Sequence, residues 1–102
     1  MALAFIIRKI IHMKVTKRIK VIGKVQGVFF RKSTKDKAME LDIKGWVRNE
    51  EDGAVLTEIE GHRHAVMAME AWLKKGPANA DVKNLIIQDG EEQGYTDFEI
   101  RK

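Results

Sequence analysis

The sequence has no cysteine, so it offers no disulfide, no thiolate zinc site and no cysteine nucleophile, although that lack does not fix the compartment. It has a single proline, and nothing in its composition suggests collagen, low complexity or disorder. Charge of one sign is never massed: 19 basic residues are interleaved with 15 acidic ones, so a net charge of +4 allows a mild preference for anions without implying nucleic acid. No Walker loop exists, because Gly27 is followed by Val28 rather than Lys and Ser or Thr, and the dinucleotide G-x-G-x-x-G is also missing. Nor is any apolar run long enough to span a bilayer. The apolar start, Met1 to His12, carries Arg8 and Lys9 after its apolar stretch instead of before it, and no small-residue cleavage site follows. Secretion is therefore not expected, and a cytoplasmic location is. Leu3, Ile6, Ile7, Ile10 and Ile11 share a helical face, which favours a short amphipathic segment packed on the body or on a neighbouring subunit over one lying on a membrane. Met13 offers an alternative start.

What is present is one domain. A chain of 102 residues buries about two thirds of its unfolded surface around a single core, and the organisation reads as an extension over 1–14 and a domain over 15–102. The most informative stretch runs from Gly23 to Arg31. Ile19, Val21 and Val25 alternate with Arg18, Lys20 and Lys24, predicting a strand that enters it. Phe30, Thr34, Ala38 and Leu41 then fall on one helical face, so the period changes from two to about 3.6. A glycine in such a strand-to-helix turn lets backbone N–H groups converge, and the helix start adds partial positive charge. Arg31 at the exit carries a planar fork suited to a phosphoryl group. Two readings of this turn stand side by side: an anion cradle, or a plain tight turn with a solvated arginine.

Downstream, in the stretch from Leu41 to Asn49, Gly45 followed by Trp46 and Val47 suggests a second strand, and Glu50 to Gly53 a hairpin turn. In a third strand Val55, Thr57 and Ile59 alternate with Leu56, Glu58 and Glu60. Ala65, Val66, Met69, Trp72 and Leu73 mark a second helix stopped by Gly76-Pro77. Val82, Leu85, Ile86 and Ile87 suggest a fourth strand, and Tyr95, Phe98 and Ile100 a last short one. The order βαββαβ with an extra strand predicts an α+β ferredoxin-like sandwich: an antiparallel sheet of four to five strands with two helices on one face. A right-handed crossover returns the second strand parallel to the first, so with the third strand between them Arg31 and Asn49 face one site.

The rest weighs less. His12, His62 and His64 form no convergent cluster, so a surface role is favoured over a metal site, and no metal or cofactor is expected. Trp46, Trp72, Phe29 and Phe30 read as core and loop anchors, Met67 and Met69 as packing, and Glu51 and Asp52 as a solvated turn. An RNA-recognition domain shares the element order but needs aromatics on its third strand, where Val55 to Glu60 has none.

The motifs Val25-Gln26-Gly27-Val28-Phe29-Phe30-Arg31, Gly45-Trp46-Val47-Arg48-Asn49, Asp52-Gly53, Gly76-Pro77 and Asp97-Phe98, with Asn49 eighteen residues after Arg31, resemble the acylphosphatase family from about residue 17 to the C-terminus. The resemblance implies hydrolysis, without a metal, of acyl phosphates such as carboxyl phosphates and carbamoyl phosphate. Arg31 would bind the phosphate and Asn49 would position water. The chemistry suits that inventory, because an acyl phosphate has a good leaving group and asks mainly for charge stabilisation and alignment. Main-chain N–H groups of Gln26, Gly27, Val28, Phe29, Phe30 and Arg31, with the Arg31 guanidinium, would hold the phosphoryl oxygens. The expected partners are a small acyl phosphate and the product inorganic phosphate, with no nucleic acid and no membrane. The protein is expected to be a monomer, with self-association open through its N-terminal extension. There are two departures from the family pattern: Asp42 stands where glycine is usual, and Glu50 stands where a small or polar residue is common.

Overall fold

In the computed structural model, which describes residues 13–102, the first alternating run is β1 (Lys14–Lys24). It is followed by α1 (Phe30–Glu40), β2 (Lys44–Asn49), β3 (Val55–His62), α2 (Arg63–Lys75), β4 (Asp81–Asp89) and β5 (Phe98–Arg101). The reading of the N-terminal segment and of His12 lies outside the described residues. Among them, no helix is long and apolar enough to cross a membrane.

The five strands form one sheet in the order β4-β1-β3-β2-β5. β3 lies between β1 and β2 and pairs antiparallel with both, so β1 and β2 run the same way and end on the same rim. Both helices pack on one face, α1 over β2 and β5, α2 over β1, β3 and β4. Their core joins Ile19, Val21, Val47, Val55 and Ile59 of the sheet to Phe30 and Ala38 of α1 and to Val66, Met69 and Leu73 of α2. Met69 is packed as expected, while Met67 is exposed.

The sheet is mixed: β2 and β5 pair parallel, while the other three pairings are antiparallel. β4 descends on one outer edge, and the loop over 90–97 crosses the lower rim. A strand that starts there beside β2 must rise with it. Tyr95 belongs to that loop and not to the last strand.

Two backbone details set the entry to β2. α1 ends in a Schellman motif, with Ile43 N–H donating to the Ala38 carbonyl at 2.7 Å and Asp42 N–H to that of Met39 at 3.2 Å. Asp42, at φ 56°, occupies the left-handed position that usually takes glycine, which a short polar side chain tolerates. Gly45 is irreplaceable on space alone, because a Cβ there would lie 1.9 Å from the Glu58 carbonyl oxygen.

The face of the sheet away from the helices is not simply solvated. Alternation alone would leave Glu58 and Glu60 in water, yet they are only 7% and 0% exposed. The 90–97 loop folds over them. Backbone N–H groups of Gln93, Gly94 and Tyr95 and the Thr16 hydroxyl all donate to the Glu60 carboxylate, at 2.7 to 3.1 Å. Trp46 is buried on this same face rather than in the main core. Its indole N–H donates to the Tyr95 hydroxyl at 3.0 Å, and that hydroxyl donates to Glu58.

Candidate active site

The rim where β1 and β2 end carries a concave turn. Val25 and Phe30 are buried and fix its two ends in the core. Between them the chain reverses through two left-handed residues, Gly27 at φ 74° and Phe29 at φ 60°, ψ 25°. Glycine takes that conformation freely, whereas phenylalanine is held there at a cost of about 1 kcal/mol. Left-handed residues next to a helix start turn successive N–H groups toward one concavity. The first helical hydrogen bond runs from Ser33 N–H to the Phe29 carbonyl at 2.9 Å, so the N–H groups of Phe30, Arg31 and Lys32 have no acceptor within α1. No acidic residue sits in the first turn to neutralise that end.

Beside this turn lies a cavity of about 340 Å³, whose lining includes Gly27, Phe29, Phe30, Arg31 and Asn49. The two residues expected to converge therefore do so. Arg31 reaches it from the first turn of α1. Asn49 reaches it from the last position of β2, on the helix-covered face, where it pairs with Val55. Among the described residues, no protein group takes the Asn49 carboxamide, and no carboxylate lies within ion-pair distance of Arg31. The guanidinium makes one long contact, 3.5 Å from Nη1 to the Arg101 carbonyl oxygen at the end of β5.

Other expected residues divide. Phe29 is not a core anchor but 78% exposed, because its left-handed backbone turns the ring outward over the cavity mouth. Val28 does not line the cavity and instead packs against the core. Gln26 does not line it either. Its side chain turns the other way, and Nε2 donates at 2.8 Å to each of the Glu50 and Ala54 carbonyl oxygens in the hairpin after Asn49. Ile100 and Lys32 also line the cavity and went unnoticed in the sequence. Only the parallel pairing of β5 with β2 could have pointed to Ile100.

The acidic residues nearby are committed elsewhere. Glu50 lies one position past Asn49, and its carboxylate sits 3.3 Å from Arg48 Nε. Asp52 accepts the Ala54 N–H at 3.0 Å and pairs with Lys20 at 2.6 Å. The Lys20 hydrogen bond and charge hold the Asp52 carboxyl below its usual range, and the same contact holds Lys20 above its own. An ion-paired turn residue of this kind has no place in acid or base chemistry. His62 and His64 stack at 5.9 Å at the start of α2, and no group of three or more His, Asp or Glu among the described residues is arranged to hold a metal ion.

Comparison with known proteins identifies the family. The model of the acylphosphatase family matches residues 17–100. The curated acylphosphatase of Nitrosococcus oceani is 45% identical over 84 residues, which is 82% of this chain and 94% of that protein. Among solved structures, an acylphosphatase from Coxiella burnetii superposes with a TM-score of 0.84 at 40% identity, covering 86% of this chain and 93% of that one. The acylphosphatase of Bacillus subtilis gives the same TM-score at 31% identity, covering 88% and 100%.

Proposed function

We propose a division of labour at the site that proceeds from one premise: the chain belongs to the acylphosphatase family and is an acylphosphatase, a hydrolase of acyl phosphates. The main-chain N–H groups of residues 26–31 and the Arg31 guanidinium bind the three phosphoryl oxygens, and the Asn49 carboxamide holds the attacking water. The amide oxygen can accept a hydrogen bond from that water and the amide N–H can donate one to its oxygen, which fixes the lone pair toward phosphorus. Water oxygen attacks phosphorus as the bond from phosphorus to the acyl oxygen breaks. The carboxylate leaves with the electron pair, and a proton of the water passes to a phosphoryl oxygen. The products are a carboxylate and inorganic phosphate.

A carboxylate is a good leaving group and needs no strong acid, so this set of groups can supply what the reaction demands, namely charge stabilisation and alignment. A phosphate monoester, whose alkoxide must be protonated as it leaves, gains much less. The observation that supports the reading most is the pairing, on one cavity at a helix start, of an Arg31 guanidinium that has no carboxylate partner and an Asn49 carboxamide that has no hydrogen-bond partner among the described residues. The domain is taken as residues 15–102, working as a cytoplasmic monomer.

The test compares two variants on benzoyl or acetyl phosphate, with inorganic phosphate as inhibitor. Arg31→Ala should lower kcat/KM by about a thousandfold and abolish inhibition by phosphate. Asn49→Ala should lower kcat by about a hundredfold and leave the phosphate inhibition constant within a few-fold. Equal loss of phosphate affinity in both would overturn the division of labour. The parent enzyme should turn over acyl phosphates and leave a phosphate monoester untouched.

A further inference from the structure

The geometry points to Gln26 as a positioning residue that sets the placement of Asn49 relative to the phosphate-binding turn. This rests on the water-holding role given to Asn49 above. The turn over 25–29 and the hairpin over 50–54 come from separate parts of the chain, and their relative placement fixes the distance between bound phosphate and attacking water. Among the described residues, the side chain of Gln26 joins them. The Gln26 carboxamide donates one N–H hydrogen bond to the Glu50 carbonyl and the other to the Ala54 carbonyl, both at 2.8 Å in a partly buried setting. Those two carbonyls are the ends of the hairpin turn itself. The Ala54 oxygen also accepts the Glu50 N–H at 2.8 Å, and the Glu50 oxygen accepts the Gly53 N–H at 3.2 Å. A single group thus fastens both ends of the turn that begins immediately after Asn49.

Charge and shape both limit what can replace it. Two acceptors facing one side chain require two donors on one planar head, which an uncharged amide supplies. An ionised glutamate of the same shape would set a third acceptor against two carbonyl oxygens. Methionine fills similar space and donates nothing. A hairpin freed from this bridge keeps its own backbone hydrogen bonds but can drift, and a displacement of about 1 Å at a reacting group is enough to cost on the order of a hundredfold in rate.

The experiment uses the full chain with acetyl phosphate as substrate and inorganic phosphate as inhibitor. Gln26→Met should lower kcat by about ten- to a hundredfold and leave the phosphate inhibition constant within about threefold, an attenuated copy of Asn49→Ala. Gln26→Glu should show the same deficit at neutral pH. Its deficit relative to the parent should narrow as pH falls through the carboxyl range, because the protonated acid regains one donor. A merely structural role would lower the melting temperature without this kcat-against-inhibition split and without recovery in acid. Parent-like kcat in Gln26→Met, or equal loss of kcat and of phosphate affinity, overturns the inference. If Gln26→Met does not fold, the pH profile of Gln26→Glu decides alone. Undiminished turnover in Asn49→Ala would overturn the water-holding role itself. Loss of turnover in Asn49→Ala beside a parent-like Gln26→Met would overturn only the positioning by Gln26.

Discussion

The two polar regions of this molecule treat the same residue types in opposite ways. On the open face of the sheet, Arg18, Arg48 and Arg101 stand 5.0 to 5.5 Å from the centre of the Trp46 ring. Each also meets a carboxylate, from Glu58, Glu50 and Glu99 at 3.1 to 3.3 Å. At the rim, Arg31 has among the described residues only its long contact to a carbonyl oxygen. The contrast extends to main-chain amides. Those of residues 93–95 converge on the Glu60 carboxylate, whereas the first amides of α1 have no acceptor within the helix and belong to residues that line a cavity. A fold that needs a charge for its own cohesion satisfies it internally. A fold that needs a charge for an anionic ligand leaves it unengaged until the ligand arrives.

The largest effect that tests this contrast comes from exchanging the arginines. Arg31→Ala should cost about a thousandfold in kcat/KM with the melting temperature within about 3 °C of the parent, because Arg31 forms no ion pair among the described residues. Arg18→Ala and Arg101→Ala should each stay within about threefold of parental activity, since these half-exposed pairs and ring contacts contribute on the order of 1 kcal/mol at most. Steady-state kinetics beside thermal melts read both quantities. A loss of activity in Arg101→Ala as large as in Arg31→Ala would erase the distinction between the two regions.

The rim was legible in the sequence and the open face was not, for a physical reason. Gly23 to Arg31 and Gly45 to Asn49 are contiguous runs whose spacing carries the turn, the helix start and the crossover, so local periodicity was enough to bring Arg31 and Asn49 together. The open face depends on a loop that meets β3 from more than thirty residues away in sequence, as in the hydrogen bonds of Gln93 and Tyr95 to Glu60. No alternation in Val55 to Glu60 announces a carboxylate that will be covered by backbone donors. The parallel pairing of β5 and the outward turn of Gln26 were hidden likewise, because each is decided by what lies across the rim rather than along the chain. The order of elements along the chain and both helices followed from the period, and Asp42 from its place after α1.

Glu60 offers the next effect in size, on stability rather than rate. Glu60→Ala leaves the buried Thr16 hydroxyl and three partly buried N–H groups without their acceptor, and should cost about 3 kcal/mol in urea melts while the folded fraction keeps its kcat. Acid offers a gentler probe of the same group. Burial pushes the Glu60 carboxyl up, but the hydrogen bonds from Gln93, Thr16, Tyr95 and Gly94 together outweigh it and hold the group below its ordinary value. The folded protein therefore keeps this carboxylate ionised at a pH where the unfolded chain has begun to protonate. Its stabilising share is full above the ordinary glutamate range and is lost as pH falls through the lowered folded value. Glu60→Gln should flatten the acid arm of the melting-temperature profile, and an unchanged slope would show that the carboxylate is not what the 90–97 loop is fastened to.

The smallest effect is the sharpest test, because it sits where the two regions touch. Glu50 directly follows Asn49, and a carboxylate aimed at the cavity would repel bound phosphate. At roughly 5 Å in a partly screened setting, its removal would then tighten phosphate by about tenfold. The carboxylate instead faces Arg48 on the open side. Glu50→Gln should accordingly change the phosphate inhibition constant by less than about twofold. Arg48→Ala should do more than Glu50→Gln, since it frees the carboxylate to turn toward the rim and weaken phosphate binding. Adding Glu50→Gln to Arg48→Ala should restore the parental constant. Failure of that restoration would mean that Arg48 acts on the rim by some route other than holding Glu50, and the separation of an internally satisfied face from an open binding edge would no longer account for the neighbourhood of Asn49.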